Sequence, residues 1–434
     1  MSIETVSLPQ LKITRRAADR LRAGHLWMYR SDATLPEEAP RPGSLVQVVD
    51  ARQAPLGTAL FSSTSQIIGR LVSHAAEPIS REQYLDELSE RIDAAFARRA
   101  QDAPMSDATN AQRLLFSEAD DTPGIIADRY NDLVLLQLLT QGTAQDDVRA
   151  VVVAALRRHL EVDGSTLTIW ERPDPKIREL EQLSDPPNEG LLYTNAEDKP
   201  NATKFVLNGL NFHYSIAASQ KTGAFLDQRL NYAAAAARVK ASGKTTRALD
   251  VCTYHGGFAL HLATVCERVT GVDQSLAALE TADWNLSINP ELTGRVDWIE
   301  ADAFELLRAF DIAHNRPDPK NPQLPLDVDT GFDAIVLDPP AFAKSKRAAE
   351  GAMRGYKELN LRAMRLLNAG GTLITNSCSH HVSLQDFVAT VTAAAADARR
   401  RVQILEVRGA APDHPEVLSH PESVYLKSLI LRVS

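Results

Sequence analysis

Four aspartates, Asp250, Asp273, Asp302 and Asp338, each end or closely follow a short apolar run, and a cysteine, Cys378, follows a fifth. In an open α/β sheet ligands bind beyond the carboxyl ends of the strands, so acids placed there in series describe a site. The first lies in Asp250-Val251-Cys252-Thr253-Tyr254-His255-Gly256-Gly257-Phe258, where paired glycines let the backbone approach a ligand before a helix begins. The G-x-G-x-x-G pattern that seats a pyrophosphate is absent, which favours a cofactor without phosphates. Asp273 is placed to take two ribose hydroxyls and Asp302 to receive an adenine amino group, with Cys252, Tyr254, Gly256 and Phe258 in the loop between strand and helix. Any one of these acids also suits an ordinary helix N-cap. Together they point to S-adenosylmethionine.

The fourth strand leads into Asp338-Pro339-Pro340-Ala341-Phe342, a rigid turn that presents an acid. Adenine-amino methyltransferases have an aromatic residue directly after the two prolines; Ala341 in that place speaks against them. After the fifth strand comes Thr375-Asn376-Ser377-Cys378-Ser379-His380-His381. A cysteine among hydroxyls and beside two histidines suits a nucleophile of lowered pKa, and it suits a small buried residue equally. A nucleophile here has a specific use. Carbon 5 of a pyrimidine attacks a methyl sulfonium only after a thiolate has added at carbon 6, and the sequence of steps needs a thiolate, a base and an acid near ring nitrogen 3. Asp338 is the expected acid, and the base is open between a water, His380 and His381. Cys252 and Cys266 are weaker candidates, one in the cofactor loop and one inside a helix.

The elements that must position these residues follow an α/β rhythm from Arg247 onward, with strands expected at 248–251, 269–272, 296–299, 334–337, 372–375, 402–407 and 425–433. Seven strands alternating with helices make a Rossmann-like, doubly wound sheet. Residues 311–331, with four prolines, are expected to break the preceding helix as an insertion.

Upstream, short β-type runs to about Ser73 imply a small β-rich barrel, and Arg15, Arg16, Arg20 and Arg22 on one helical stretch suit either phosphates or a solvated face. Ser80-x-x-Gln83 is a capping box before the stripe Leu85, Leu88, Ile92 and Phe96, which predicts a helix over 80–99. Strands near 125–127 and 133–138, a helix near 148–160 and an Asn208-Gly209 hairpin describe a small α+β domain. The expected division is 1–78, a linker helix over 79–103, a central domain over 104–216 and a catalytic domain over 217–434.

At 434 residues, 44% hydrophobic and 24% charged, the composition is that of a globular chain, without an apolar stretch that spans a bilayer or a secretion signal; a cytoplasmic location, without membrane, is expected. Three cysteines without C-x-x-C spacing argue against a metal and against disulfides. The net charge is −9, yet residues 1–75 hold nine Lys/Arg against six Asp/Glu, so a mildly basic module (+3) sits on an acidic remainder (−12) that would direct a polyanion to one end. A homodimer is compatible with the composition but not located by it.

With these residues in hand, the chain resembles the bacterial 23S ribosomal RNA cytosine-5 methyltransferases that carry an N-terminal PUA domain. The resemblance covers nearly the whole length. It is carried by Lys221-Thr222-Gly223-Ala224-Phe225-Leu226-Asp227-Gln228-Arg229, Gly256-Gly257-Phe258, Asp338-Pro339-Pro340-x-Phe342, Arg354-Gly355-Tyr356-Lys357 and Ser377-Cys378-Ser379. It implies a PUA-like RNA-binding domain over 1–78, S-adenosylmethionine as cofactor, 23S ribosomal RNA as partner and Cys378 as nucleophile. It also implies that Gln228 and Arg229 help to form the cofactor pocket. Lys344, Lys346, Arg347, Arg354 and Lys357 could hold phosphates at its mouth. Two other readings compete: methylation of another RNA base or a small molecule with Cys378 structural, and an RNA-binding assembly factor without turnover.

Overall fold

The computed structural model describes residues 7–162, 164–172, 174–216, 224–315, 331–343 and 349–434. Contacts divide the chain into two units: Met1–Phe205 with Tyr214–Gly223 and Pro412–Ser423, and Val206–His213 with Ala224–Ala411 and Val424–Ser434. Among the described residues no helix is long and apolar enough to cross a membrane.

The first unit holds two sheets. One has six strands in the order Trp27–Tyr29, Ile67–Ser73, Pro55–Phe61, Leu45–Val49, Gln10–Ile13, Ala33–Thr34. The helix Arg15–Arg22 commits Arg20 to Asp32 and Arg22 to Asp50, each at 2.7 Å, so half of its arginines serve the fold itself. The other sheet has five strands, ordered Leu191–Thr194, Thr168–Glu171, Leu133–Leu138, Ile125–Tyr130, Ala111–Phe116. The helix Arg81–Asp102 starts at the capping box, where Ser80 and Gln83 exchange side-chain and backbone bonds at 3.1 and 2.8 Å. Its Leu88 and Ile92 enter a core shared with Leu45 and Val72 of one sheet and Leu114 and Val134 of the other. The helix expected as a linker is thus interior to the unit. Between Ala202–Leu207 and Leu210–Ser215 the chain turns at Asn208 and Gly209, with φ of 52° and 87°, the conformation for which Asn-Gly is favoured.

In the second unit the sheet strands are β1 (Arg247–Val251), β2 (Arg268–Asp273), β3 (Val296–Glu300), β4 (Phe332–Leu337), β5 (Leu367–Ser377), β6 (Val402–Arg408) and β7 (Lys427–Val433). Their order is β3-β2-β1-β4-β5-β7-β6, with β7 antiparallel to both neighbours and the rest parallel. The helices are α1 (Arg229–Ser242), α2 (Gly257–Ala263), α3 (Leu276–Ser287), α4 (Ala303–Asn315), α5 (Ala349–Leu366) and α6 (Leu384–Ala398). Every residue of β4 is buried, as expected of a central parallel strand covered on both faces. The chain reverses its strand order between β1 and β4, and that switch point is where a ligand crevice must open.

The helix over α4 persists past the point where a break was expected. Asp311 is buried and takes Arg362 and Arg365 of α5, which pins the last turn before the prolines. The remainder of the expected insertion, 316–330, lies outside the described residues.

Candidate active site

The carboxyl ends of β1 and β4, with the segment before α1, border a narrow recess of about 20 Å³ lined by Phe225, Tyr232, Cys252, Tyr254, Gly257, Phe258 and Asp338, among others. Cys252 and Tyr254 are held at positive φ, 64° and 52°, and Gly256 at 83°, so the loop after β1 is a tightly wound turn. Gly256 caps α2, and a Cβ on the next glycine, Gly257, would stand 2.5 Å from Tyr232 Cζ. The backbone can follow this path only without a side chain at 257.

Asp250 is fully buried. One carboxylate oxygen accepts from Thr253 Oγ1 at 2.6 Å and from the Ala259 amide at 2.9 Å; the other has no hydrogen-bond partner among the described residues. Its first task is therefore to latch the loop onto α2, and it does not itself line the recess. Burial pushes its pKa up to about 7, with Asp273 adding to the rise against the two hydrogen bonds. Asp273 accepts from the Tyr254 and Ser275 amides, both at 2.9 Å. Asp302 is exposed and caps α4 through the Phe304 and Glu305 amides at 2.9 and 3.0 Å, the ordinary N-cap geometry.

Asp338 follows β4, and Cys378 follows β5. These strands pair in parallel with Leu337 opposite Thr375, so Asp338 leaves its strand level with Asn376 and Cys378 follows two residues further on. Cys378 Sγ lies 3.9 Å from the Pro339 carbonyl. Gln228 is buried and donates to Asp338 at 3.0 Å; its own carbonyl accepts from Asn231 at 2.7 Å, and Asn231 in turn accepts from Arg408 at 2.8 Å. Arg229 is also buried, with one guanidinium nitrogen 3.3 Å from the Leu226 carbonyl, and does not line the recess. Lys221, Thr222, Gly223, Lys344, Lys346 and Arg347 lie outside the described residues. Arg354 pairs with Glu350 at 3.5 Å and Lys357 with Asp397 at 2.7 Å.

The Cys378 thiol is not lowered in pKa. Burial pushes it up to about 11, with Asp338 and Asp227 adding to the rise, while His380 and His381 are exposed. Burial also drives up Cys252. Several groups escaped the motif reading. The Tyr356 hydroxyl lies 3.0 Å from both Ser377 Oγ and Ser379 Oγ and so braces the residues on either side of Cys378. Asp227 accepts from the Tyr425 hydroxyl at 2.6 Å. Buried Lys427 donates to the Ser379 carbonyl at 2.7 Å. Asp227 and Tyr356 stand inside quoted motifs; Lys427 is visible only as a charge at the head of an apolar strand.

Asp338 is pushed up to about 8 by burial, then by Asp250 and Asp227. Its unfolded value is about 3.9. A raised carboxyl pKa favours folding below the unfolded value and loses that contribution as pH rises through the folded one. Asp338→Asn is therefore expected to raise the Tm relative to the parent by an amount that grows from about pH 5 to about pH 8.5. Thermal unfolding at both values reads it, and a pH-independent offset would contradict it.

The recess suits the expected donor. Asp338 lines it and Asp250, Asp273 and Asp302 end or follow the neighbouring strands; none of the four has an ion-pair partner among the described residues, and burial holds Asp250 and Asp338 partly neutral. A ligand that brings a positive centre, aromatic surface and ribose hydroxyls matches the acids, the rings of Phe225, Tyr254 and Phe258, and the glycine cradle. Among the described residues one cluster has metal-type ligands: His25, His420 and Glu422, with atoms within 4.8 Å. His25 Nδ1 accepts from the Trp27 amide at 3.0 Å, which leaves the proton on Nε2, 3.2 Å from Glu422. That geometry is a hydrogen-bonded pair, since a metal on Nε2 would leave the ring without a proton.

Comparison with known proteins agrees with this geometry. A PUA-like domain family matches residues 11–74, and the family described as S-adenosylmethionine-dependent methyltransferase matches residues 121–432. A protein of Vibrio cholerae named ribosomal RNA large subunit methyltransferase I is 33% identical over 428 residues, 98% of this chain and 99% of its own. One of the same name from Shewanella denitrificans is 37% identical over 397 residues, 91% of each. Among solved structures, a SAM-dependent methyltransferase from Streptococcus mutans superposes with a TM-score of 0.76 over 98% of this chain and 100% of its own at 19% identity, which speaks for the fold. The chain therefore belongs to the S-adenosylmethionine-dependent methyltransferases, within the family of ribosomal RNA large subunit methyltransferase I, and it uses S-adenosylmethionine behind an N-terminal PUA-like domain.

Proposed function

We propose that this methyltransferase acts on ribosomal RNA of the large subunit, 23S in bacteria, and forms 5-methylcytosine through a covalent adduct of Cys378. The observation that carries the reading is that Cys378 and Asp338 follow adjacent parallel strands, with Cys378 Sγ 3.9 Å from the carbonyl of Pro339, the residue after Asp338. The names of the relatives support the RNA, and the PUA-like module over 1–78 is the part assigned to hold it.

S-adenosylmethionine supplies, when bound, a methyl group activated on a sulfonium. Asp273 and Asp302 keep lone pairs for ribose and adenine while they cap their loops, and Asp250 and Gly256 shape the cradle from behind. Cys252, Tyr254 and Phe258 form its wall, with Gln228 and Arg229 fixing the segment that closes it. The Cys378 thiolate adds to carbon 6 of cytosine, and the displaced π electrons make carbon 5 nucleophilic. Asp338, protonated through much of the neutral range, shares its proton with ring nitrogen 3 and so accepts the charge that the addition creates. Carbon 5 takes the methyl group, a base removes the carbon-5 proton, and the returning pair breaks the carbon–sulfur bond to release the thiolate.

In the competing reading Cys378 is a packing residue and a base nitrogen receives the methyl group; the high pKa of the buried thiol favours it. Nucleoside analysis of unmodified ribosomal RNA treated with enzyme and labelled donor separates the two. The expected label is in 5-methylcytidine. Label in a nitrogen-methylated nucleoside would overturn the assignment.

A further inference from the structure

A thiolate at Cys378 would sit close to Asp338 and Asp227, both of which oppose it, in surroundings whose burial opposes it further. Some group must supply the compensating charge. Lys427 opens β7 and pairs in register with Ser377, the residue before Cys378. It is 6% exposed, and its ammonium donates to the Ser379 carbonyl at 2.7 Å and the Tyr425 carbonyl at 2.8 Å. These two bonds use two of its three N–H groups, and it has no carboxylate partner among the described residues. A buried ammonium bonded to neutral carbonyls is costly to keep charged, and a buried thiolate without a cation is costly to form. Each lowers the other's cost. Burial brings Lys427 down to about 8 and Cys378 favours its charge, just as Lys427 favours the thiolate.

We propose that Lys427 is a positioning residue that supplies the counter-charge of the Cys378 thiolate and holds the Ser379 carbonyl so that the sulfur stays beside it. Cys378 gives its proton to solvent, and the ammonium keeps its own. The catalytic consequence rests on Cys378 as nucleophile; the ion pair itself does not.

The experiment follows alkylation of the Cys378 peptide by iodoacetamide, resolved from Cys252 and Cys266 by mass spectrometry, as a function of pH. Lys427→Gln retains a donor without the charge. At about pH 7, where Lys427 keeps its charge, it is expected to slow alkylation roughly tenfold or more, the effect of losing a nearby opposite charge. Lys427→Arg should stay within about threefold of the parent. Binding of S-adenosylmethionine checks the fold of each variant; if Lys427→Gln does not bind, Lys427→Met, which fills the slot without needing partners, is read in the same way. A folded, uncharged variant that is alkylated at the parental rate overturns the proposal. If alkylation slows in Lys427→Gln while Cys378→Ala still methylates, the ion pair stands and the nucleophile reading falls.

Discussion

Cys378→Ala is expected to lower methyl transfer to RNA by a factor on the order of 10⁴ or more, because removal of a covalent nucleophile leaves no route for carbon 5 to attack. Affinity for S-adenosylmethionine should stay within about twofold, since Sγ lies against the Pro339 carbonyl at 3.9 Å and, among the described residues, makes no hydrogen bond to the loop after β1. Single-turnover transfer and calorimetric binding together check this. Transfer at the parental rate would make Cys378 a packing residue and move the chemistry to a base nitrogen.

Gly257→Ala is expected to act on the other half of the site. Its Cβ would meet Tyr232 Cζ, Oη and Cε2 at 2.5 to 2.9 Å, and that ring is buried against Phe258 and His261 at centroid separations of 4.7 and 5.2 Å. The tyrosine has no easy escape, so either its ring or the start of α2 must shift. Forcing a group into such packing costs about 1–3 kcal/mol, and because both neighbours line the recess the cost falls on binding as well as stability. Affinity for the donor should fall about 10- to 100-fold, with a lower Tm. Calorimetry and thermal unfolding read the two effects, and unchanged affinity would mean that the donor does not use this cradle.

Much of the catalytic unit was legible from residues alone, for physical reasons that can be named. The central strands β1 and β4 are largely apolar runs because both faces of a parallel sheet are covered there, and the acids that follow them stand where such a sheet opens. Ser80 and Gln83 announced a helix start, and Asn208-Gly209 a turn, because those side chains and φ angles satisfy the backbone locally. What a local pattern cannot carry is a partner far along the chain. Asp302 reads the same whether it caps α4 or holds adenine. Asp250 reads as a ligand and is a latch first. Asp311 keeps α4 helical through arginines 51 and 54 residues away. Local sequence leaves the Cys378 pKa open: the histidines beside it in sequence turn to solvent, whereas burial and then Asp338, Asp227 and Lys427, remote in sequence, set its electrostatics.

The central claim is a bond between Cys378 and cytosine carbon 6, and it can be trapped. In ribosomal RNA that carries 5-fluorocytosine, carbon 5 has no proton to lose after methyl transfer, so the carbon–sulfur bond cannot break by elimination. With S-adenosylmethionine present, a stable protein–RNA adduct whose peptide maps to Cys378 is expected, absent from Cys378→Ala. Methylation of unsubstituted RNA with no adduct on the fluorinated RNA, or an adduct on another residue, would contradict it.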